Sequence, residues 1–225
     1  MHARCPLSSS KACRCGRYAC HMDSLIVAVD GACPGNGTDA AVTSACGVFF
    51  GDYIDEYDNG QENLAWRVAD EPSVAHTSQR AELHAAIGSL RAAAIYAQDG
   101  GQWPCEVPNH CHSPCPITQL IIKSDSAYLV NGITGSIEKW ASNGWKTSKK
   151  TPVKNRDLWE SLLDELAEYK ALGVSVGFWH VPRGENTEAD RLANLGLLSD
   201  STVPTPTDLD YESDFVTEPK RLRKG

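Results

Sequence analysis

The chain reads LIVAVDGACPGNG at residues 25–37, and the interpretation of the remaining sequence rests on this stretch. Five apolar residues run directly into Asp30, after which glycine, proline and asparagine favour a turn. Apolar runs of this length that stop at turn residues are typical of core strands. A carboxylate at the end of a buried strand loses hydration unless a cation or a polar group compensates it. Asp30 is therefore either a solvated residue at a strand end or one member of a charged site whose other members lie elsewhere.

The composition is that of an ordinary globular chain. Hydrophobic residues make up 41% and charged residues 22% of the 225 residues, and both values are normal for such a chain. No apolar run approaches the roughly 20 residues that span a membrane, and no secretory hydrophobic segment lies near the start. The net charge of −8 argues against a protein that binds nucleic acid over its whole surface. Contacts with nucleic acid would have to be local, and we expect no membrane partner.

Three parts of the chain differ in composition. Residues 1–23 form an irregular head rich in cysteine, and residues 24–198 carry the regular patterns of one domain. Residues 199–225 hold six acids and three prolines and finish with a basic end, so we expect a disordered tail. Within the domain, residues 99–116 contain glycines and four prolines, which predict an inserted loop.

The nine cysteines are unevenly placed, with four in the head and three in the predicted insertion. Disulfides are not expected without a signal peptide, and free thiols are the first interpretation. A zinc site is the alternative. The spacings C-x7-C-x-C-x4-C-H and C-x5-C-x3-C, however, lack the C-x2-C pair of the common zinc patterns.

Hydrophobic periodicity predicts alternating strands and helices. Strands are predicted at 25–30, about 45–50, 62–68, 117–125 and 174–181, and helices at 79–98, from about 126, at 157–172 and at 186–198. Asn186 or Thr187 is the predicted N-cap of the last helix. Three consecutive strands favour an antiparallel meander, and strands that alternate with helices favour parallel crossovers. The sequence therefore predicts an α/β fold with a mixed sheet and helices on its faces.

Three other acids occupy positions comparable with that of Asp30. Asp125 ends the apolar strand LIIKSD, Glu82 lies in the first turn of the long helix, and Asp190 lies near the start of the last helix. In α/β sheets, sites form where strands end and helices begin. Four carboxylates that meet in a partly buried site repel one another unless cations neutralise them. Oxygen ligands without Cys or His favour Mg²⁺ or Mn²⁺ over Zn²⁺, and two such ions are expected apparatus for phosphodiester cleavage.

Five segments carry a family resemblance. In chain order they are DGACPGNG, TSQRAEL, KSDSAYLVNGITG, NGWKTSKKTPVKNRDLW and ENTEADRLAN. Together, over about residues 25–196, they closely resemble ribonuclease H of type 1. The resemblance implies an RNase H-like mixed five-stranded sheet, with three antiparallel strands followed by parallel strands and helices on both faces. It also implies endonucleolytic hydrolysis of the RNA strand of an RNA/DNA hybrid, with Mg²⁺ or its substitute Mn²⁺, that leaves 3′-hydroxyl and 5′-phosphate ends. We expect the protein to act on the hybrid duplex as a monomer.

The resemblance assigns roles to individual residues. The catalytic, metal-binding acids would be Asp30, Glu82, Asp125 and Asp190. The RNA strand would be contacted by Asn36, Ser78 and Gln79, with a serine at 78 in place of the more usual asparagine. The pocket for a DNA phosphate would be formed by Thr77 and Asn155, and the DNA-strand channel by Tyr128 and Trp140. For the tryptophan, simple packing is the alternative. Recognition of a 2′-hydroxyl would distinguish RNA from DNA.

A run of six lysines and arginines without an acid extends from Lys139 to Arg156. A solvated loop is the ordinary explanation for such a run. Its clustering in an otherwise acidic chain favours a patch that contacts the backbone of a nucleic acid.

The segment before Asp190 departs from the family pattern. Bacterial and animal relatives carry a loop histidine there, whereas His180 of this chain stands ten residues before Asp190 and within the strand-like stretch FWHV. His180 is therefore either the equivalent of the loop histidine or a strand residue with a satisfied side chain. In the second case Arg183 is the better candidate for reaching the leaving group.

Two alternative functions differ in what they require of the acids. A hybrid-binding module that has lost catalysis would usually have lost an acid, and all four are present. A DEDD-type exonuclease would need a second acid two residues after the first, where Ala32 stands.

The prediction of the compartment rests on weaker signals, which are KRLRK at 220–224 for the nucleus and the basic head for the mitochondrion. We expect an intracellular protein, with the nucleus or cytoplasm favoured over the mitochondrion.

Overall fold

The computed structural model describes residues 24–51, 63–69, 73–98, 102–103, 115–116 and 118–206. The predicted head, most of the predicted insertion and the last part of the predicted tail lie outside the described residues. Six of the nine cysteines fall there, so for them the choice between free thiols and zinc stays a prediction. Of the cysteines whose side chains are described, Cys33 and Cys46 are free thiols.

Strands and helices follow one another largely as the periodicity predicts. The strands are β1 (Ser24–Ala32), β2 (Ala45–Phe49), β3 (Leu64–Arg67), β4 (Gln102–Trp103), β5 (Cys115–Pro116), β6 (Gln119–Ser124), β7 (Ser175–His180) and β8 (Thr205–Pro206). The helices are α1 (Ser78–Gln98), α2 (Ala127–Asn131), α3 (Ile137–Ser142), α4 (Arg156–Ala171) and α5 (Thr187–Gly196). A π-helical turn (Gly132–Ser136) joins α2 to α3, and a 3₁₀ turn (Arg183–Glu185) precedes α5. Among the described residues, no helix combines the length and the apolar character needed to cross a membrane.

The central sheet is mixed. Its strands lie in the order β7-β6-β1-β2-β3-β8. β1 pairs antiparallel with β2, and β2 pairs antiparallel with β3, whereas β1 and β7 both pair parallel with β6. The five main strands are therefore the predicted three antiparallel strands followed by parallel strands, and the predicted fold class is confirmed.

The segment after Ser199 corrects one expectation. Disorder is predicted there, but the Arg67 N–H donates to the Ser201 carbonyl at 2.9 Å, and Thr205 pairs with Ala65 of β3. The physical reason is that β3 would otherwise present unpaired backbone groups at its outer edge. Main-chain pairing does not require apolar side chains, so the composition gave no sign of it. Within the predicted insertion, β4 pairs antiparallel with β5, so the described residues of this segment form a short pair of strands.

Neighbouring residues of β2 contact helices on opposite sides of the sheet. The Cys46 thiol donates to the Ala81 carbonyl of α1 at 3.3 Å. At the next residue, Gly47, an added Cβ would overlap the backbone of Ala189 and Ala193 in α5. Because successive side chains of a strand point to opposite faces, α1 and α5 cover opposite faces of the sheet. The main apolar core lies on the α1 side, where α4 packs beside α1.

Gly31 allows α1 to lie directly against the end of β1. A Cβ at Gly31 would overlap the backbone nitrogen of Glu82 and the carbonyl carbon of Ala81. The absence of a side chain is therefore what permits this approach. It brings Glu82 next to Asp30, the residue that precedes Gly31 in β1.

Gly47→Ala should weaken the packing of α5 on β2, because the new methyl group would occupy the space of backbone atoms of Ala189 and Ala193. Overpacking of this kind costs about 1–3 kcal/mol, and the free energy of unfolding, measured by urea denaturation, should fall by that amount. Gly135→Ala is the matched control, because a Cβ there meets no atom within 4 Å. The control should change stability by about 0.5 kcal/mol or less, and equal stability of the two variants would contradict the tight contact.

Candidate active site

The four predicted acids line one open depression at the ends of β1 and β6. Its volume is about 430 Å³. The lining residues are Asp30, Gly31, Ala32, Cys33, Pro34, Ser78, Glu82, Asp125, Arg183, Asp190 and Asn194. Asp30 lies near the end of β1, and Asp125 directly follows β6. Glu82 and Asp190 lie near the starts of α1 and α5. Two strands and two helices from opposite faces of the sheet thus contribute one acid each.

Three of these acids form a compact group, called the acid group below. One carboxylate oxygen from each of Asp30, Glu82 and Asp125 lies within 4.8 Å of the other two. Asp30 and Glu82 are buried, with 7% and 8% of their surface exposed, and Asp125 is half-buried. Asp190 lines the same depression but stands outside the group.

Asp190 is held by two neighbouring side chains. Arg183 Nη2 donates to its Oδ1 at 2.6 Å, and Asn194 Nδ2 donates to its Oδ2 at 3.3 Å. The Arg183 side chain is 79% exposed, and solvated ion pairs of this kind are weak. A metal ion bound by Asp190 would therefore replace a cation that the chain itself supplies.

Burial and like charge raise the pKa values of two acids in the group. Burial, followed by repulsion from Asp125 and Asp190, raises the pKa of Asp30 to about 7. Burial, followed by repulsion from Asp30 and Asp125, raises the pKa of Glu82 to about 9, although Arg183 and a hydrogen bond with Ser124 act in the opposite direction.

One oxygen of the acid group has no hydrogen-bond partner. This atom, Glu82 Oε2, is buried, and it belongs to a group of carboxylates that repel one another. A hard divalent cation would satisfy the unpaired oxygen and neutralise the repulsion. The residues present therefore fit a metal ion of the Mg²⁺ type.

His180 and Arg183 differ in their relation to the depression. His180 is the last residue of β7, and its Nε2 lies 3.2 Å from the carbonyl oxygen of Asp125. This is the geometry of a strand residue with a satisfied side chain. Arg183, in the 3₁₀ turn, lines the depression beside Asp190.

The residues predicted to contact RNA lie where the loop after β1 meets the start of α1. Asn36 Oδ1 accepts a hydrogen bond from the Ser78 N–H at 3.0 Å. Ser78 lines the depression, and Gln79 is exposed next to it in sequence. The structure brings these three residues together at the rim of the depression.

The residues predicted to contact the DNA strand lie on a second surface, beside α4. Asn155 Nδ2 donates to the Tyr128 hydroxyl at 3.2 Å, and the same hydroxyl accepts from Trp159 Nε1 at 3.1 Å. Trp140 meets Trp159 edge to face, with ring centroids 5.6 Å apart. Trp140 is partly buried against the core, so packing is at least part of its role.

Sequence reasoning missed Arg80, which connects the start of α1 to this second surface. Its backbone N–H donates to Thr77 Oγ1 at 3.2 Å. Its buried side chain pairs with Asp157 at 2.7 Å and approaches Asn155 Oδ1 at 3.5 Å. The available signal was a basic residue two positions before Glu82, but the sequence does not show which acid pairs with it.

Comparison with known proteins addresses the family directly. A family model described as RNase H matches residues 22–197. The chain belongs to the ribonuclease H family. Ribonuclease H of Chelativorans sp. (strain BNC1) is 33% identical over 181 residues, which cover 78% of this chain and 86% of that protein. Ribonuclease H of Rhodopseudomonas palustris (strain BisB5) is 34% identical over 184 residues, which cover 78% of this chain and 93% of that protein.

Solved structures share the ribonuclease H fold. LC9-RNase H1, a type 1 RNase H with the type 2 active-site motif, superposes with a TM-score of 0.51 and 22% identity. The superposition covers 82% of this chain and 79% of that one. The family model and the two relatives confirm the resemblance to the ribonuclease H family found in the sequence. Membership of this metal-dependent family agrees with the fit of the acid group to a cation.

The raised pKa values predict that metal-free stability depends on pH. In the unfolded chain both acids have an ordinary pKa of about 4, whereas in the fold the values are about 7 for Asp30 and about 9 for Glu82. The folded protein therefore binds more protons than the unfolded chain between these values, and stability falls as pH rises. The contribution of these groups is fully present below about pH 4 and is lost as pH rises through about 7 and about 9.

The measurement is the melting temperature in EDTA between about pH 5 and about pH 9. Relative to the wild type, Glu82→Gln should gain stability as pH rises, because the amide needs no proton to remain neutral. Glu138→Gln, at an exposed position of α3, is the control and should keep the pH dependence of the wild type. A constant difference between wild type and Glu82→Gln over this range would show that the fold does not raise the pKa of Glu82.

Proposed function

We propose that this protein is an endoribonuclease that hydrolyses the RNA strand of RNA/DNA hybrids and leaves 3′-hydroxyl and 5′-phosphate ends. The observation that carries the proposal is the acid group of Asp30, Glu82 and Asp125, which opens onto the depression. Membership of the ribonuclease H family supports the same activity. The acids of the site all lie in this chain, so the proposed reaction needs no residue of a second copy, and we propose that the protein acts as a monomer.

The proposed cofactor is Mg²⁺, with Mn²⁺ as a substitute. The acid group consists of carboxylate oxygens, and hard oxygen ligands suit these ions. Asp30, Glu82 and Asp125 would hold one ion, and Asp190 would contribute to a second once Arg183 is displaced. When bound, the two ions would activate the attacking water and stabilise the charge that develops on the phosphodiester. Because ligands must be deprotonated, metal binding would release protons from the high-pKa acids.

Residues at the rim would orient the RNA strand over the acid group. Asn36 uses its Oδ1 to accept from Ser78, so a bond from Asn36 to a 2′-hydroxyl would use Nδ2. Gln79 is exposed, and its side-chain amide would contact a base edge. Arg183, beside Asp190, would donate to the leaving 3′-oxygen. A 2′-hydroxyl is the group that distinguishes the RNA strand from DNA.

The DNA strand would lie along Thr77, Asn155, Tyr128 and Trp140. It would reach the run of lysines and arginines between Lys139 and Arg156, called the basic loop below. This loop is well defined, since Lys146 pairs with Pro152 and the hydroxyls of Thr147 and Thr151 are 2.7 Å apart. Lys149 and Lys150 are exposed in it. Exposed positive charges suit contacts to phosphates, which position a duplex without reading its sequence.

Removing one charge from the acid group should abolish cleavage without unfolding the protein. Asp30→Asn and Asp125→Asn keep the side-chain shape but weaken the hold on the metal ion. Electrostatic contributions of this kind correspond to about a thousandfold or more in rate. Asp164→Asn, at an exposed position of α4, is the control and should cleave at the wild-type rate.

The assay follows a hybrid labelled in its RNA strand, in Mg²⁺ or EDTA, beside single-stranded RNA and duplex RNA. The melting temperature of each variant in EDTA separates loss of chemistry from loss of fold. Cleavage by Asp30→Asn at the wild-type rate would refute the proposed site. A wild-type protein that binds the hybrid but does not cleave it would instead be a hybrid-binding module.

Charge reversal in the basic loop should weaken hybrid binding and make it less sensitive to salt. Lys149→Glu combined with Lys150→Glu removes two contacts to phosphates, and each contact contributes about −0.9 to the slope of log affinity against log salt. The slope should therefore become shallower by about one to two. Lys170→Glu, at the far end of α4, is the control and should leave the slope unchanged. Fluorescence anisotropy of an uncleaved hybrid between about 50 and about 200 mM salt measures the slope. An unchanged slope in the double variant would show that the loop does not contact the hybrid.

A further inference from the structure

Asn186 stands immediately before α5, at the position whose side chain normally caps a helix. It makes no such cap. Asn186 is only 2% exposed, and its Nδ2 donates to the Val29 carbonyl at 3.0 Å and to Asp125 Oδ1 at 3.2 Å. One amide thus joins the start of α5 to the ends of β1 and β6.

These contacts lie where the backbone pairing of β1 with β6 stops. The last paired residues are Ala28 and Lys123, each two positions before an acid. Buried carbonyl groups need a donor, and beyond this point the Val29 carbonyl receives one from the Asn186 side chain. The amide therefore continues the link between the two strands over the interval that carries Asp30 and Asp125.

The two partners determine which way the amide points. Both the Val29 carbonyl and the Asp125 carboxylate are acceptors, so the NH₂ group must face them and the oxygen must face away. Asn186 Oδ1 is buried and has no partner among the described residues. Buried amide oxygens without partners are uncommon. The orientation is therefore kept for the two bonds that Nδ2 makes.

We propose that Asn186 is a positioning residue for the acid group. It fixes the rotation of the Asp125 carboxylate and the separation of β1 from β6, so that Asp30 and Asp125 keep a spacing suited to a metal ion. The inference rests on the proposed function, because it takes the acid group as a metal site. A neutral amide suits this place, because it offsets repulsion without competing with a cation as the Arg183 guanidinium does at Asp190.

The test measures Mn²⁺ binding to the full chain by the electron paramagnetic resonance signal of free Mn²⁺. Asn186→Thr is the first variant, because threonine is close to asparagine in volume and caps helices but has no amide to reach both acceptors. The dissociation constant for Mn²⁺ should rise about tenfold or more, as is usual when a partner of a metal ligand is removed. Asn186→Ser, with the same capping ability and less bulk, serves if the threonine variant does not fold.

Asn63→Thr is the matched control. Asn63 is also buried, at 6% exposed, and it also bonds the main chain, accepting from the Phe50 N–H at 2.8 Å and donating to the Gly51 carbonyl at 3.1 Å. Its replacement should lower the melting temperature and leave Mn²⁺ affinity unchanged. In a chain that already carries Asp125→Asn, Asn186→Thr should weaken Mn²⁺ binding by much less than tenfold, because the carboxylate that Asn186 positions is no longer present.

Cleavage of a hybrid at limiting and saturating Mg²⁺ provides a second measurement. Asn186→Thr should be slow at limiting Mg²⁺ and recover toward the wild-type rate as Mg²⁺ is raised, with an unchanged KM for the hybrid.

Wild-type Mn²⁺ affinity in both Asn186 variants would overturn the inference, as would an equal loss of affinity in Asn63→Thr. If the wild type does not cleave hybrids while Asn186→Thr still weakens Mn²⁺ binding, the proposed function fails and the positioning role stands. If the wild type cleaves hybrids and Asn186→Thr binds Mn²⁺ normally, the positioning role alone fails.

Discussion

Asp30, Glu82 and Asp125 bring like charges into a largely buried space, and the surrounding structure must offset their repulsion. It does so in more than one way. Protonation relieves it for Asp30 and Glu82, whose pKa values burial raises. Asn186 offers a neutral N–H to Asp125, and the adjacent Asp190 receives the positive charge of Arg183. The acid group still opens onto the depression, so a divalent cation could take the place of these protons and neutralise the carboxylates.

Close backbone contacts determine how near the acids can come to one another. Gly31 and Gly47 lie on neighbouring strands, and the first contacts α1 while the second contacts α5. A larger side chain at either position would push its helix outward, and with it Glu82 or Asp190. The geometry of the site therefore depends on glycine at positions 31 and 47 as well as on the acids themselves.

The parts of the fold that follow a simple periodicity could be predicted from the sequence. The apolar runs before Asp30 and Asp125 identified two strands, and their parallel pairing brings the ends of both strands to one edge. Contacts that depend on tertiary packing produce no such pattern in the sequence. Asn186 has the same sequence context whether it caps α5 or turns into the sheet. The pairing of Thr205 with Ala65 uses only backbone groups, which every residue but proline carries in full.

β8 extends the folded domain beyond Asp190, the last acid of the site. The segment matched to the family ends at residue 197, and every acid of the site precedes that point. A fragment cut after Gly196 would keep all of them but would uncover the outer edge of β3. Uncovered strand edges are templates on which a second chain can add a strand. The acids of the site thus all precede the residues that pair with the outer edge of β3.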